Sequence, residues 1–453
     1  MKPGTRNRKP GAENGPRRKG DAGHTPLPTW WIRAAVVGTL LLDSRALADD
    51  ASGETSETSE IGNTGETAAG SPVALDFVGS LKASLLVPEG AAALNLWRLR
   101  VGGSAKLRRP ELKLEVAYEQ RLRSIPRGTD SSVTVLPPDS AAPYRLRQLD
   151  DTLHAVDDTY SHRHELDRAL LAWYSNHLDL TAGRQAIGWG RGVLFSAVDV
   201  FAPFMPFEID REWRRGIDAL RADLSFWDNY SLDLVGAFGA TLDKSLLLGR
   251  LRGYLGSFDG ELICGKRAQD WMYAATLSAS IADAEFHGEI ALFDTPDERN
   301  DDGSTLRLGT VAKAVAGASY TFDVGNGLTL WIEYHYSGFG SGSIAETLER
   351  LANPAFRARF LRGDMQTLGK HAHALRASYQ LDDDLVAGFS WISNLSDFSA
   401  VVAPSVIWNP SANVTLLGSA YFPYGERAVS SDERQSEYGD TPVTAFVQLA
   451  VYY

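Results

Sequence analysis

Charged side chains are concentrated in one stretch of the chain, residues 178–220. Its residues that could bind an ionic group, or one another, are Arg184, Arg191, Asp199, Arg211, Arg214, Arg215 and Asp218. Arginine presents a planar fork of N–H donors that matches carboxylate and phosphate groups. Such a cluster can therefore bind anionic solutes, or it can hold a loop in place through ion pairs. The two interpretations have equal support until the flanking elements are known.

The flanking segments alternate between apolar and polar residues, as strands with two different faces do. The clearest are residues 112–119, 231–238, 285–292, 328–336 and 374–381. The last segment places Ala445, Val447, Leu449, Val451 and Tyr453 on one face. A final strand that ends on an aromatic residue resembles the terminal signal of bacterial outer-membrane β-barrels, in which the last strand pairs with the first.

Strand length and loop length favour a membrane barrel over a soluble sandwich, which would show the same alternation. The strands are about nine to eleven residues long, as a tilted strand needs to cross hydrocarbon, whereas soluble strands usually have about five or six. Short turns such as 282–283 also alternate with long loops such as 188–215 and 337–370. We therefore expect an all-β fold, a transmembrane antiparallel up-and-down β-barrel.

The number of strands depends on residues 124–162. If they form one long loop, the barrel has about 18 strands, an even number with both chain ends on the same side. A strand or hairpin within 144–156 would change this count, and about 16 strands is the alternative. Residues 71–453 would belong to the barrel, with no second domain.

The N-terminal residues predict export. Residues 1–48 combine a basic segment, an apolar run at 34–42 and small residues at 46 and 48, the pattern of a signal peptide cleaved after Ala48. The apolar run is too short to span a bilayer. Residues 49–70 are rich in Ser, Thr, Gly and Glu, which predicts a disordered tail. We expect the mature protein to lie in the bacterial outer membrane.

Composition argues against several other functions. The formal net charge of −12 is unsuited to nucleic-acid binding, which needs clustered basic groups. Cys264 is the only cysteine, so no intramolecular disulfide and no cysteine-based metal site can form. The acidic segment 297–303 lacks the ligand spacing of a calcium loop. No nucleophile elbow or other short catalytic signature is present, so we expect neither an enzyme nor a cofactor.

Charged residues at alternate strand positions should face the lumen, because an arginine or lysine on the lipid face costs about 2–4 kcal/mol at mid-bilayer. The predicted lining residues are Arg221, Asp223, Arg250, Arg252, Glu285, Glu289, Glu333 and Arg376. A barrel of this size is too wide for side chains to fill, so its lumen should hold water. For any single residue, a solvated wall without a specific role remains the alternative.

The loop after Gly188 contains Phe201, Phe204 and Phe207 and is too apolar to extend freely into water. We expect it to fold into or over the lumen and to place the charged cluster near a constriction. A plug or rim held by salt bridges is an equal alternative. Arg184 shares the outward register of the preceding leucines, so it must lie at the rim or follow a bulge.

Several short motifs in this region resemble porin-like β-barrel proteins of the bacterial outer membrane, broadly similar to alginate-export and porin-type barrels. They are Gly183-Arg-Gln185, Trp189-Gly190, the Asp-x-Phe-x-Pro-Phe segment from Asp199, Arg211-Glu212 and Gly216-Ile-Asp-Ala219. The likeness covers most of residues 75–453. It implies the barrel type and leaves the solute open.

These observations predict a porin-like channel for passive diffusion of small hydrophilic solutes, with anions and saccharides as candidates. The alternative is a plugged structural or adhesive barrel that binds a partner through its long loops. Outer-membrane lipid and the barrel-assembly machinery, through the C-terminal strand, are the other expected partners. The sequence leaves the oligomeric state open.

Overall fold

The structure, a computed structural model, describes residues 73–108, 111–124, 142–147, 150–156, 159–208, 210–227, 229–300, 303–428 and 434–453. The signal peptide and tail expected for residues 1–70 lie outside this part of the chain.

Long strands account for most of the described chain. They are β1 (Val73–Pro88), β2 (Leu94–Arg108), β3 (Glu111–Ser124), β4 (Asp150–Val156), β5 (Tyr160–Trp173), β6 (Leu178–Gln185), β7 (Ile217–Phe226), β8 (Tyr230–Ala237), β9 (Leu246–Leu255), β10 (Phe258–Arg267), β11 (Asp270–Ile281), β12 (Ala284–Thr295), β13 (Glu298–Arg299), β14 (Thr305–Leu306), β15 (Gly309–Phe322), β16 (Leu328–Ser337), β17 (His371–Asp382), β18 (Leu385–Asn394), β19 (Ser399–Ser411), β20 (Val414–Tyr424) and β21 (Thr444–Tyr452). All except β4, β13 and β14 form the barrel wall.

The wall is a closed antiparallel barrel of 18 strands. The first and last strands close it, with Ser80 opposite Tyr452, and the backbones of Gly79 and Tyr453 exchange hydrogen bonds of 2.8 and 3.0 Å. Closure pairs the backbone groups that a sheet edge would leave open, which hydrocarbon cannot hydrogen-bond. The predicted all-β barrel of about 18 strands is confirmed, and the alternative count of 16 is wrong.

The connections differ in length between the two ends of the barrel. One end carries short turns, among them 256–257, 282–283 and 383–384, and the other carries the long loops, among them 186–216 and 338–370. We call these the short-turn end and the long-loop end. The long connections therefore lie at one end of the barrel, as the sequence predicts.

One part of an expected loop forms a strand. β4 lies within 124–162 and pairs with β5 at its long-loop end, where Val156 is opposite Tyr160. Farther along, β5 pairs with β6 through residues 169–173. β4 therefore pairs with β5 beyond the end of β6 and does not run the length of the barrel wall. For this reason the strand at 150–156 leaves the number of wall strands at 18.

The loop at 338–370 contains two helices, α1 (Ile344–Leu351) and α2 (Pro354–Arg362). The side chain of Ser343 accepts a hydrogen bond from the Glu346 N–H at the start of α1, and Asn353 caps α2 in the same manner. Gly363, with φ of 89°, ends α2 in the left-handed conformation that glycine adopts without strain. No helix in the described ranges is long and apolar enough to span a membrane.

The outer face of the barrel wall is apolar. Leu262, Leu277 and Ile290 point outward with 62%, 53% and 50% of their surface exposed. Leu449 and Tyr453 lie on the same face, as the alternation of the last strand predicted. Soluble proteins rarely expose a continuous apolar surface of this extent. The belt suits the hydrocarbon of a bilayer, and the wall crosses it with strands.

Replacing Ile290 by arginine tests which face meets lipid. We expect Ile290→Arg to lower the free energy of unfolding by about 2–4 kcal/mol, because the guanidinium would lie in hydrocarbon. The measurement is urea-dependent folding into phospholipid vesicles. Ser278→Arg is the matched control, since Ser278 faces the lumen opposite Asp259, and it should change the free energy by less than about 1 kcal/mol. Equal effects of the two changes would contradict the assignment.

Candidate functional site

The loop between β6 and β7, residues 186–216, folds into the barrel, and we call it the lumen loop. Trp189, Phe195 and Phe201 are each no more than 2% exposed. The rings of Trp189 and Phe201 pack edge to face with centroids 4.9 Å apart, and Phe195 stacks on His335 of β16 at the same distance. The aromatic side chains of the loop are therefore buried against the inner wall.

Glu289 of β12 holds the first part of the lumen loop. Its Oε1 accepts the N–H of Gly192 at 2.9 Å and also the N–H of Arg191. Its Oε2 accepts the hydroxyl of Ser196 at 2.9 Å and the N–H of Ala197 at 2.6 Å. Hydrogen bonds to an ionised acceptor are about twice as strong as neutral ones. One buried carboxylate thus fixes several consecutive backbone groups of the loop.

Glu333 of β16 acts on the next turn of the loop. Its Oε2 accepts the N–H groups of Leu194 and Phe195 at 2.9 and 3.1 Å, and its Oε1 lies 3.0 Å from Nε2 of His287. Glu289 and Glu333 are 4% and 1% exposed. The sequence placed both in the lumen lining, but the lumen loop covers them. A hydrated solute in the lumen would not reach these carboxylates.

The far part of the lumen loop is tied to the opposite side of the wall. Asp210 pairs with Lys82 of β1 at 2.7 Å and with Arg98 of β2 at 2.9 Å. Glu212 also pairs with Lys82 and accepts the hydroxyl of Tyr452 at 2.8 Å. About half of the wall's strands separate β1 from β12 in either direction. The loop therefore extends across the lumen and is fastened at both sides.

The structure places five residues of the predicted charged cluster in the lumen loop, which are Arg191, Asp199, Arg211, Arg214 and Arg215. Arg191 pairs with Asp259 and, at 3.1 Å, with Glu261 of β10, so it reaches the wall. Arg214 pairs with Asp199 within the loop. Arg211 donates to the carbonyl of Val193 at 2.7 Å, and to those of Met205 and Pro206. These contacts tie the loop to itself and to one wall.

Burial lowers the pKa of two guanidiniums of the lumen loop, those of Arg211 and Arg215. Burial, and then the like charge of Arg376, lowers the pKa of Arg211 to about 10, so Arg211 keeps its charge at neutral pH. Burial also lowers the pKa of Arg215, against the attraction of Glu208. Two further carboxylates of the loop, Asp210 and Glu212, pair with wall cations and not with the loop arginines.

Arg184 and Asp218 pair with each other at 2.7 Å, away from the rest of the cluster. They lie opposite one another in the outward register of β6 and β7, next to Gly183 with φ of 117°. The segment 142–147 passes over them, and the Leu146 N–H donates to Asp218 at 2.9 Å. This pair fastens a covering segment at the long-loop end.

The charges on β7 to β10 neutralise one another. Arg221 and Arg250 each lie 3.0 Å from Asp233, and Arg250 and Arg252 lie 3.1 and 3.4 Å from Glu261. Asp223 is 3.8 Å from Arg221. Glu261 is not among the lining residues that the sequence predicted, although its position next to the outward Leu262 indicates that it faces the lumen. This sector of the lumen is a compensated ion-pair network.

The sector near β17 is different. The guanidinium of Arg376 lies 5.5 Å from the ring centre of Trp331. Glu285, another predicted lining residue, lies on β12 and is exposed near the short-turn end. In the described ranges, neither Arg376 nor Arg211 forms an ion pair with a carboxylate, although the charges of Glu208 and Glu333 also act on Arg211. Two positive groups without direct counterions therefore act on this side of the lumen.

Sequence reasoning missed the wall residues that hold the loop. Lys82 and Arg98 are 3% and 7% exposed and lie at inward positions of β1 and β2. Their alternation with apolar residues marked them as lumen-facing, but nothing in the sequence connects them with Asp210. Among the described residues, no three His, Cys, Asp or Glu side chains are placed to hold a metal ion.

The other long loops pack on the lumen loop. The ring of Phe207 packs edge to face on Tyr438 of loop 425–443 at 5.4 Å. Gln366 of loop 338–370 donates to the Phe204 carbonyl at 3.2 Å, and Arg359 of α2 makes a bidentate pair with Asp270 at 2.6 and 2.7 Å. The long loops thus form one connected structure above the lumen.

Glu437 of loop 425–443 connects loop 338–370 with the end of β18 and the turn after it. It accepts the N–H of Leu368 at 3.1 Å and the side-chain amide of Asn394 at 2.7 Å, and its own N–H donates to Asp397. Burial, opposed by the Leu368 N–H and reinforced by the Asp397 carboxylate, raises the pKa of Glu437 to about 7. The side chain thus changes charge near neutral pH.

Comparison with known proteins finds similar structures but no similar sequence. No protein-family model and no curated protein matches the chain. One similar solved structure is OpdK of Pseudomonas aeruginosa, with 9% sequence identity over 84% of this chain and 99% of that chain and a TM-score of 0.48. Another is OccAB4 of Acinetobacter baumannii, with 11% identity over 84% of this chain and 97% of that chain and a TM-score of 0.48. Salmonella typhi OmpF is a third (12%, 84% and 97%, 0.43).

Replacing Glu289 by alanine should release the lumen loop. The variant removes the acceptor of the backbone groups at 191–198, so we expect faster proteolytic cleavage within the loop, by about tenfold or more. The measurement is limited proteolysis of the folded barrel in detergent, with cleavage sites located by mass spectrometry. Glu285→Ala, an inward acidic residue of the same strand, should leave cleavage unchanged. Protection of the loop in both variants would contradict the anchoring role.

The packing of loop 425–443 should depend on pH. Since the folded-state pKa of Glu437 is raised, its stabilising contribution is full below the ordinary glutamate pKa of about 4.3 and is lost as the pH rises through about 7. We expect amide protection of residues 434–442, corrected for intrinsic exchange, to fall between pH 5 and pH 8. Glu437→Gln should remove this dependence. A fall of the same size in the variant would assign it to another group.

Proposed function

We propose that the protein is an outer-membrane channel for passive diffusion of small hydrophilic solutes, with a preference for small anions. The observation that carries this proposal is the lumen loop, which is held across a closed, charge-lined barrel by ion pairs and backbone hydrogen bonds at both walls. A loop fixed in this way can narrow a passage and set its size limit.

The preference for anions follows from the uneven charge of the lumen. Between β7 and β10 each arginine faces a carboxylate, so that sector has little net field. Arg211 and Arg376 lack such partners in the described residues, and the like charge of Arg376 acts on Arg211. A solute that passes between the loop and this sector would meet two guanidiniums, which attract carboxylate and phosphate groups.

The remaining assignments belong to the same proposal. The long-loop end would face the outside of the cell, and residues 1–48 would direct export. The barrel-assembly machinery would recognise the C-terminal strand, whose outward face carries Leu449 and Tyr453. Solute transport by this barrel needs no bound cofactor and no catalytic group.

A plugged structural barrel is the second candidate. The buried core formed by Trp189, Phe195 and Phe201 with Phe339 and Phe356 of the loop 338–370 supports it, because packed apolar side chains exclude water. Such a barrel would present its long loops to a partner. Conductance separates the two functions, since a plugged barrel carries no ionic current.

Reconstitution in a planar bilayer tests both pore opening and charge preference. We expect discrete conductance steps and, under a tenfold salt gradient, a reversal potential on the anion-selective side. Arg376→Gln should move the reversal potential toward cation selectivity, because it removes a lumen charge that no carboxylate balances directly. Arg307→Gln makes the same charge change in an exposed loop, where Arg307 pairs with Asp297, and should have little effect. Absence of any step would favour the plugged barrel.

A further inference from the structure

The outer wall of the barrel contains a long depression that the transport proposal does not use. It has a volume of about 760 Å³ and crosses β5 to β10. Its apolar lining consists of outward residues such as Leu171, Leu180, Leu220, Leu234 and Leu247. Six strands at the usual spacing of about 4.8 Å give it a length of about 24 Å. We call it the wall groove.

Small side chains create the wall groove. On β6, β7 and β8 small and large outward residues alternate, since Ala182 and Gly236 both lie opposite Leu220, and Ala222 lies between Leu180 and Leu234. A Cβ atom added at Gly236 would lie in ordinary van der Waals contact, 3.9 Å from the side chain of Leu247, so a methyl group would fit there without strain. The loop 238–245, with its short 3-10 helix Leu242–Lys244, overhangs one end. The recesses of the floor thus lie at the small residues, between the leucines of neighbouring strands.

The end of the wall groove under this overhang is basic. Lys266 lines it and points outward from the last turn of β10. The Ala268 N–H donates to the Ser245 carbonyl at 2.8 Å, which holds the overhang and Lys244 beside β10. Both lysines are exposed, and within the described ranges neither makes an ion pair. The neighbouring acidic residue, Asp243, is fully exposed. Hydrogen bonds with the Thr241 side chain and with its own backbone lower the pKa of its carboxyl group.

We infer that the wall groove binds one anionic lipid, with an acyl chain along the leucine-lined floor and a phosphate at Lys244 and Lys266. An acyl chain is flexible and apolar, so it can fill a narrow recess that a flat protein surface would leave empty. A phosphate at two lysines gains charge attraction where the wall meets the aqueous phase. The basic end coincides with the long-loop end, where a lipid of the outer leaflet would place its phosphate.

Native mass spectrometry of the delipidated barrel in detergent tests this inference. The probes are lipid A, which carries phosphates, and phosphatidylethanolamine, which has no net charge. We expect one lipid A molecule per barrel to stay bound after the collisional activation that removes the detergent. Ala222→Leu, which fills the floor, and the double change Lys244→Gln with Lys266→Gln should each lower its retention about tenfold.

Matched controls carry the same changes elsewhere. Ala314→Leu alters an outward alanine of β15, and Lys370→Gln alters a lysine of another long loop, and both should retain lipid A as the unchanged protein does. Equal retention in all variants, or equal binding of phosphatidylethanolamine, would overturn the inference. Loss of a dimer or trimer peak in Ala222→Leu would also overturn it, by identifying the groove as a subunit contact. Conductance of Ala222→Leu should stay unchanged, which separates this test from that of the channel.

Discussion

Backbone hydrogen bonding in an apolar medium is the constraint on which the structure depends. A strand in hydrocarbon has no water to satisfy its N–H and C=O groups, so every strand must have a partner on both sides. The seam between β1 and β21 completes this pairing, from Ser80 opposite Tyr452 to Pro88 opposite Thr444. Once the ring is closed, period-2 alternation sends one set of side chains to lipid and the other to the lumen.

Closure creates a lumen that cannot be filled by wall side chains alone, and the lumen loop occupies part of it. The loop brings many backbone N–H groups into the barrel, and these need acceptors. Glu289 and Glu333 provide them on one side, while Asp210 uses Lys82 and Arg98 on the other. Some charged wall residues therefore hold the lumen loop, and the proposed channel would use others to act on charged solutes through their electric field.

The same alternation explains the outer surface. Where outward positions carry alanine or glycine between leucines, as at Ala182, Ala222 and Gly236, the wall is recessed. Lys266 lines the end of the recess beneath loop 238–245. Lumen and outer wall are thus shaped independently, because neighbouring residues of one strand serve opposite faces.

The sequence by itself determined the barrel, the sorting of the connections and the face of most strand residues, and it left the strand number between about 18 and about 16. These features follow from local alternation and turn spacing, which a chain carries residue by residue. Only the tertiary structure decided the partners of the charged residues. Arg184 pairs with Asp218 at the rim, and Asp210 pairs with Lys82, 128 positions away. Such pairings depend on how a long loop crosses a closed ring, and no local pattern records that path.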